Sequence, residues 1–244
     1  MEDKIIITEE IKLETKLRWL EYCKEIKNIP PIQEIKLLDK NDSSHARFKS
    51  IDLYNQKYIL YVQKEIYEYT EVSTRSILFH EFTHLADSIK YRDKKYEVFL
   101  NIMASYSEYH AAYIEMIQII KSCNSKLVNK ESEVIYRAGC LTLESLMSQS
   151  YTAAIKCFEK IDGSFNGLHE FYYYLGYRKA LQKYNLEFDF NFLDFNPLYM
   201  IYIKNISDYV ESNDIPKMAD EHSKLLHSID MEIESNKILN HFNI

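Results

Sequence analysis

The chain has 244 residues, of which 46% are hydrophobic and 27% are charged. This balance is typical of a folded globular protein and excludes an intrinsically disordered chain. The formal net charge is −7, whereas nucleic acids and anionic membrane surfaces are bound through basic surfaces. We therefore expect no nucleic-acid partner and no membrane partner.

No apolar run approaches the roughly 20 residues of a transmembrane helix. The opening residues MEDKIIITEEIKLETK lack the apolar core that follows the basic end of a signal peptide. Both features favour a cytoplasmic protein. The four cysteines are far apart and form no CxxC pair, which predicts reduced thiols rather than disulfides or a cysteine-type zinc site.

The first third of the chain contains most of the predicted strands. Residues 4–8 read as a short strand, 9–27 as an amphipathic helix and 32–38 as a second strand. Residues 46–63 read as a hairpin with its turn near Asn55-Gln56, because both arms are rich in β-branched and aromatic residues.

After Thr70 the hydrophobic pattern becomes helical. Ser73 or Thr74 can cap a helix that runs to about Tyr91, and a second long helix is predicted over 96–121. The first of these helices has one apolar face, formed by Leu78, Phe82, Leu85 and Ile89.

The second half of the chain reads as helical. Helices are predicted over 131–160 and 167–185, followed by an aromatic, acidic connector at 187–197. From 198 onward two more helices are expected, with a break at 213–216. The whole pattern predicts an α+β fold, a small N-terminal mixed sheet followed by a mostly helical body. We assign 1–121 to a metal-binding core and 122–244 to a helical region packed on it, which can form one continuous domain.

The strongest chemical signal is the HExxH motif His80-Glu81-Phe82-Thr83-His84. Two histidines four residues apart share one helix face and can bind one ion. Glu81 lies about 100° round the helix from His80, so it can act on a metal-activated water without becoming a ligand. The spacing predicts a zinc site with Glu81 as general base.

A catalytic zinc needs a third protein ligand. The extended metzincin motif requires glycine and histidine at positions that Asp87 and Lys90 occupy here, so that class is excluded. Glu108, on the following helix, fits the alternative of a glutamate ligand. Its helical neighbours are Ala104, Ala111 and Ala112, whose small side chains allow a close approach between helices.

With HEFTH on one helix and Glu108 on the next, residues 46–121 resemble the gluzincin-type zinc metallopeptidases. The resemblance implies His80, His84 and Glu108 as ligands. It also implies that the strand at 56–63 borders the cleft and pairs with substrate as an added strand. Related enzymes carry an aspartate four residues after the glutamate ligand, where this chain has Ala112. The carboxylate that supports a ligating histidine must then come from elsewhere, and the candidates are Asp87 and Glu115.

Gluzincin-type sites also use a histidine or tyrosine to stabilise the oxyanion. His169 and Tyr173 are the candidates for catalytic groups of this kind, and they stand among several tyrosines that can equally be core residues. His110 and Glu97 are weaker alternatives as ligands. His45 is expected in a loop without a partner, and the tail histidines His222, His227 and His241 are expected to be solvated.

The sequence thus predicts a zinc-dependent hydrolase, a metallopeptidase with Zn²⁺ as cofactor and a peptide or protein as substrate. Two alternatives remain open: a binding or regulatory protein on a zincin-like scaffold, and a helical interaction module without metal. The oligomeric state does not follow from the sequence.

Overall fold

The computed structural model describes residues 7–25, 32–39, 42, 44–52, 57–90, 96–123, 127–158, 168–188 and 197–228. In chain order the elements are α1 (Glu9–Glu25), β1 (Glu34–Leu37), β2 (Ala46–Asp52), β3 (Lys57–Val62), a 3₁₀ turn (Lys64–Glu68), α2 (Glu71–Lys90), α3 (Tyr96–Lys121), β4 (Glu133–Tyr136), β5 (Gly139–Thr142), α4 (Leu143–Phe158), α5 (His169–Gln182), α6 (Pro197–Ser212) and α7 (Ile215–Ser228).

The chain divides into two compact units. Unit 1 comprises Met1–Arg92 and Ile114–Leu143, and unit 2 comprises Asp93–Tyr113 and Glu144–Ile244. Both sheets lie in unit 1, and α5 to α7 lie in unit 2. The architecture confirms the predicted α+β class, with a mixed three-stranded sheet near the N-terminus followed by a mostly helical body.

The three-stranded sheet has the order β1-β3-β2. Strand β1 runs parallel to β3, with Glu34 opposite Ile59, and β2 runs antiparallel to β3, with Ala46 opposite Val62. The predicted hairpin is confirmed, and its turn lies outside the described residues. The predicted substrate-binding edge at 56–63 is wrong, because β3 is the central strand and β1 and β2 already bond to its two sides.

The predicted strand at 4–8 falls mainly outside the described part of the chain. Its last residue, Thr8, begins α1 instead: the backbone N–H of Ile11 donates to Thr8 Oγ1 at 3.3 Å. A threonine hydroxyl that satisfies one of the first helical amides is a typical N-cap. The connector at 187–197 also lies mostly outside the described residues.

The core of unit 1 is largely aromatic. Trp19 packs edge-on against Phe82 with ring centroids 4.9 Å apart, and Tyr22 packs in the same way on Phe79 at 5.2 Å. The hydroxyl of the fully buried Tyr22 donates to Thr83 Oγ1 at 3.1 Å, which satisfies the need of a buried tyrosine for a partner. Phe82 also lies 6.3 Å from the ring of Phe48 on β2, so α2 packs between α1 and the sheet with its apolar face inward, as predicted.

The start of α2 lies slightly earlier than predicted. The helix begins at Glu71, and Thr70 Oγ1 accepts the backbone N–H of Ser73 at 3.3 Å, so Thr70 rather than Ser73 or Thr74 acts as the cap. Arg18 of α1 anchors this end, because its Nη1 lies 3.0 Å from Glu71 Oε1. The start of α2 is therefore held by the Thr70 cap and by the ion pair between Arg18 and Glu71.

The predicted helix over 131–160 is wrong in its first third. Residues Glu133–Thr142 form the antiparallel hairpin β4–β5, and only then does α4 begin. At the turn, Arg137 has a φ of 52°. Its carbonyl accepts a hydrogen bond from Ser73 Oγ at 2.6 Å, which attaches the hairpin to the start of α2.

In unit 2, α5 approaches the adjoining part of α3 very closely. A Cβ placed on Gly176 would lie 2.3 Å from the carbonyl oxygen of Tyr109 and 2.8 Å from the Cβ of Ala112. Ala112, one of the small residues predicted to permit a close helix contact on α3, therefore makes one with α5. The break between α6 and α7 is confirmed, with Asn213 at a φ of 55°.

The prediction that His222 is solvated is wrong. It is 2% exposed, and its Nε2 lies 2.7 Å from the hydroxyl of Tyr172, while its Nδ1 lies 2.9 Å from that of Tyr202. Two tyrosine hydroxyls on other helices thus use the imidazole as their partner. Burial lowers the pKa of His222 to about 3.

Among the helices of the described residues, none combines the length and the apolar character that a membrane crossing requires.

Candidate metal centre

Helix α2 brings the two motif histidines together on one face. His80 Nε2 and His84 Nε2 are 3.0 Å apart, and the two rings meet edge-on at a centroid distance of 4.7 Å. This is the consequence of placing them one helical turn apart. His80, Glu81 and His84 each offer one ligand atom, and these atoms lie within 4.8 Å of one another, so the group could hold a metal ion.

The group is largely enclosed. His80 and Glu81 are each 9% exposed, whereas His84 is half-buried. The apolar residues of α2 on either side of the pentad pack into the aromatic core, which fixes the helix under the two imidazoles. The side chains are therefore arranged before any ion arrives.

Glu115 determines which nitrogen of His80 faces the centre. Its Oε2 lies 3.0 Å from His80 Nδ1, and its side chain is nearly fully buried. An ionised carboxylate can only accept a hydrogen bond, so Nδ1 carries the proton and donates it. The lone pair of a neutral His80 is then on Nε2, which points towards His84. Histidines that bind a metal are commonly oriented by a carboxylate in this way.

The spacing of these nitrogens fits a transition metal. Zinc binds imidazole nitrogen at about 2.0–2.1 Å, so two such nitrogens at a tetrahedral angle are about 3.3 Å apart. The 3.0 Å between the Nε2 atoms of His80 and His84 is close to that value. Imidazole and carboxylate donors suit zinc and several other divalent ions, so the donor set alone does not identify the metal.

Asp87, the other predicted supporting carboxylate, is 3% exposed and lies near the C-terminal end of α2. Burial is the main cause of the raised pKa of Tyr22, and the negative charge of Asp87 raises it further. Its role in orienting a ligating histidine stays a prediction.

The remaining predicted site residues come together in unit 2. His169 Nε2 lies 3.1 Å from Glu108 Oε2, and its Nδ1 lies 3.6 Å from Glu170 Oε1. The ring of Tyr173 stacks on the imidazole at a centroid distance of 6.1 Å. Burial alone would lower the pKa of His169, but the two carboxylates outweigh it and raise the pKa to about 10.

These contacts show that Glu108, His169 and Tyr173 form one cluster. Glu108 as the third ligand and His169 or Tyr173 as the oxyanion donor stay predictions. Of the weaker alternatives, His110 is half-buried beside the ring of Tyr106, and the side chain of Glu97 lies outside the described residues.

The prediction that His45 has no partner is wrong. Gln63 Nε2 donates to the carbonyl oxygen of Asp42 at 2.8 Å, which leaves Gln63 Oε1 to accept from His45 Nδ1 at 3.2 Å. Burial, and then the positive charge of Arg137, lower the pKa of His45. The two residues are neighbours at the open end of the β2–β3 hairpin, where the backbone N–H of Gln63 also donates to the carbonyl oxygen of His45 at 2.8 Å, so the contact follows from the strand register.

No protein-family model, no curated protein and no solved structure matches this chain. What the fold and the geometry define is an α+β protein that carries a possible metal-binding His-Glu-His group on α2.

Proposed function

We propose that this protein is a zinc-dependent hydrolase and that it acts as a peptidase. The observation that supports this most directly is the pairing of His80 Nε2 with His84 Nε2 at 3.0 Å, with Glu115 behind His80. His80 and His84 would hold the ion, and the sequence pattern offers Glu108 as the third ligand. Zinc held there would polarise a peptide carbonyl and make a bound water more acidic.

Glu81 is the proton carrier of the proposed reaction. Its carboxylate is within 4.8 Å of the ligand nitrogens and is mostly shielded from solvent. It accepts a proton from the attacking water as the new C–O bond forms, and returns it to the departing amine nitrogen when the C–N bond breaks. The products are a carboxylic acid and an amine, with no net change in Glu81.

Both oxyanion candidates, His169 and Tyr173, lie on α5 and have contacts of their own: Tyr177 donates its O–H to the Tyr173 hydroxyl at 3.2 Å. Both ring nitrogens of His169 face carboxylates, those of Glu108 and Glu170, so its N–H groups are already engaged. In the proposed reaction His169 holds the Glu108 carboxylate, and the donor to the developing negative charge is either His169 or Tyr173, as the sequence pattern suggests.

One observation favours the alternative of a non-catalytic binding protein on a zincin-like scaffold. Strand β3 bonds to strands on both sides, so it offers no edge to a substrate peptide. A protein of this kind would bind zinc through the same histidines but cleave nothing.

The test uses purified, zinc-loaded protein and a mixture of unfolded polypeptides whose fragments are followed by mass spectrometry. We expect cleavage by the wild type, and we expect Glu81→Gln to retain zinc while losing cleavage. The matched control is Glu131→Gln, which alters an exposed carboxylate of the same unit. Zinc binding without cleavage in the wild type, under conditions that preserve the fold, would contradict the hydrolase and support the binding protein.

A further inference from the structure

Helix α1 has an exposed apolar stripe opposite the face that it buries. Its inner face places Ile11, Trp19 and Tyr22 in the protein interior. On the outer face, Leu13 is 59% exposed, Leu17 47% and Leu20 49%. Single exposed leucines are ordinary, but three at positions i, i+4 and i+7 form one continuous stripe over two helical turns. Such a stripe marks an interaction surface.

The ends of this stripe carry opposite charges. Glu10 lies one turn before Leu13, and Lys24 lies one turn after Leu20, on the same side of the helix. Both are exposed, and neither forms an ion pair with another residue of the described ranges. The two charges are 14 residues apart, which corresponds to about 21 Å along the axis.

Several other charges of α1 form ion pairs within the helix. Arg18 binds both Glu14 and Glu21, and Lys12 binds Glu9 at 2.6 Å. Glu14 and Glu21 lie on one flank of the stripe, where both carboxylates contact Arg18. The stripe is thus an apolar seam with Glu10 at one end and Lys24 at the other, and with the exposed Lys16 beside its middle residue, Leu17.

We propose that α1 of a second copy of this chain packs on this stripe in antiparallel orientation. A two-fold axis at Leu17 places that residue against its own equivalent, and Leu13 against Leu20 of the second copy. The same axis places Glu10 of each copy next to Lys24 of the other, so the interface contains two such contacts. A two-fold interface repeats each contact in this way, so one self-complementary helix is sufficient.

The charges select the antiparallel orientation. A parallel pair would bring Glu10 next to Glu10 and Lys24 next to Lys24, and like charges at close range are unfavourable. The exposed ion pairs contribute little to affinity and mainly set the orientation. Lys16, which flanks Leu17, approaches its own equivalent in the antiparallel pair, so Lys16→Gln should strengthen the dimer.

The dimer is expected to be weak. A helix of 17 residues covers less than the about 800 Å² per partner of a standard interface. The wild type should therefore shift from monomer to dimer as its concentration rises through the micromolar range.

Sedimentation velocity of the full chain over a hundredfold concentration range tests the surface. We expect the wild type to dimerise, and Leu17→Glu to remain monomeric with an unchanged melting temperature because residue 17 is exposed. The matched control is Leu127→Glu, which charges a leucine that is 76% exposed and lies outside the stripe. It should dimerise like the wild type. A wild type that stays monomeric, or a dimer that survives Leu17→Glu, would overturn the proposal.

Charge reversal tests the orientation. Glu10→Lys or Lys24→Glu alone should raise the dissociation constant several-fold. Each single variant places like charges at positions 10 and 24 opposite each other, in both symmetric contacts. The double variant Glu10→Lys/Lys24→Glu should restore the wild-type value. Failure of the double variant to recover would rule out the antiparallel arrangement proposed here.

Discussion

Glu115 Oε2 lies 3.0 Å from His80 Nδ1, and both side chains are almost completely buried. The contact connects the C-terminal half of α3 to His80, the first histidine of the candidate metal centre on α2, within unit 1. Since a carboxylate accepts and cannot donate, it fixes the tautomer and the ring orientation of His80 together. The Nε2 lone pair is held ready for an ion before the ion binds.

The first prediction concerns this carboxylate. Glu115→Ala should weaken zinc binding about 10- to 100-fold, because His80 loses the acceptor that orients it. Glu115→Gln should have a smaller effect, because its amide oxygen still accepts from Nδ1. Zinc affinity is measured by competition with a chromophoric chelator.

Glu133→Gln, at an exposed position of β4, is the control for Glu115 and should bind zinc normally. Circular dichroism shows whether each variant is folded. A folded Glu115→Ala protein with wild-type zinc affinity would show that the contact does not orient a ligand.

The second prediction concerns Gly176. In Gly176→Ala the new Cβ would lie 2.3 Å from the backbone oxygen of Tyr109, so α3 and α5 must separate. Overpacking of this kind costs about 1–3 kcal/mol in the free energy of unfolding. Urea denaturation measures this cost.

Gly139→Ala is the matched change in unit 1. There the nearest atom, the carbonyl oxygen of Tyr136, is 3.8 Å from the new Cβ, so the free energy of unfolding should hardly change. Equal stabilities for the two variants would contradict the close helix contact.

The third prediction concerns the pH dependence of the His169–Glu108 pair. The pKa of His169 in the folded protein, about 10, exceeds the unfolded value of about 6.5. The pair therefore stabilises the fold fully below about pH 6.5, and this stabilisation is lost as the pH rises through 10. The imidazole is 46% exposed, so added salt should weaken the effect.

Glu108→Gln removes the carboxylate that contributes most to this shift. NMR titration of the His169 ring should show a lower pKa in the variant than in the wild type. The stability difference between the two proteins should be larger at pH 6.5 than at pH 10. An identical His169 titration in both proteins would contradict the ion pair.

The fourth prediction concerns His222, whose folded pKa of about 3 lies below the unfolded value of about 6.5. The unfolded chain therefore gains a proton that the folded chain does not, and stability falls as the pH drops from about 6.5 towards 3. The ring nitrogen shifts of His222 should be unchanged between pH 7 and 4.5. His222→Gln should reduce the acid sensitivity of unfolding, and a ring that protonates near pH 6 would refute the buried site.

The features that sequence reasoning could predict are those that depend on local spacing. His80 and His84 are four residues apart on a helix, so their approach follows from helical geometry alone. The apolar face of α2 and the β2–β3 hairpin follow in the same way from the periods of their hydrophobic residues.

The features that it could not predict depend on tertiary packing or on an unusual turn. In the sequence, Glu133–Tyr136 reads as part of the helix that follows, although it forms strand β4. The turn that separates β4 from β5 has a positive φ at Arg137, where Asn or Gly is the usual residue, so the sequence carries no turn signal there. His222 lies in an amphipathic helix with many polar residues, and only the packing of α5 and α6 reveals that it faces inward. Glu115 was one of two possible supports, and the way α3 packs against α2 determines which one meets His80.

The most direct test of the metal centre is the zinc content of the purified protein after exhaustive dialysis, measured by elemental mass spectrometry. The proposed centre predicts about one zinc per wild-type chain. It predicts much less than one in His80→Ala and in His84→Ala when both are folded. A wild-type protein that retains no metal after incubation with excess zinc, or a His80→Ala protein that retains as much as the wild type, would contradict it.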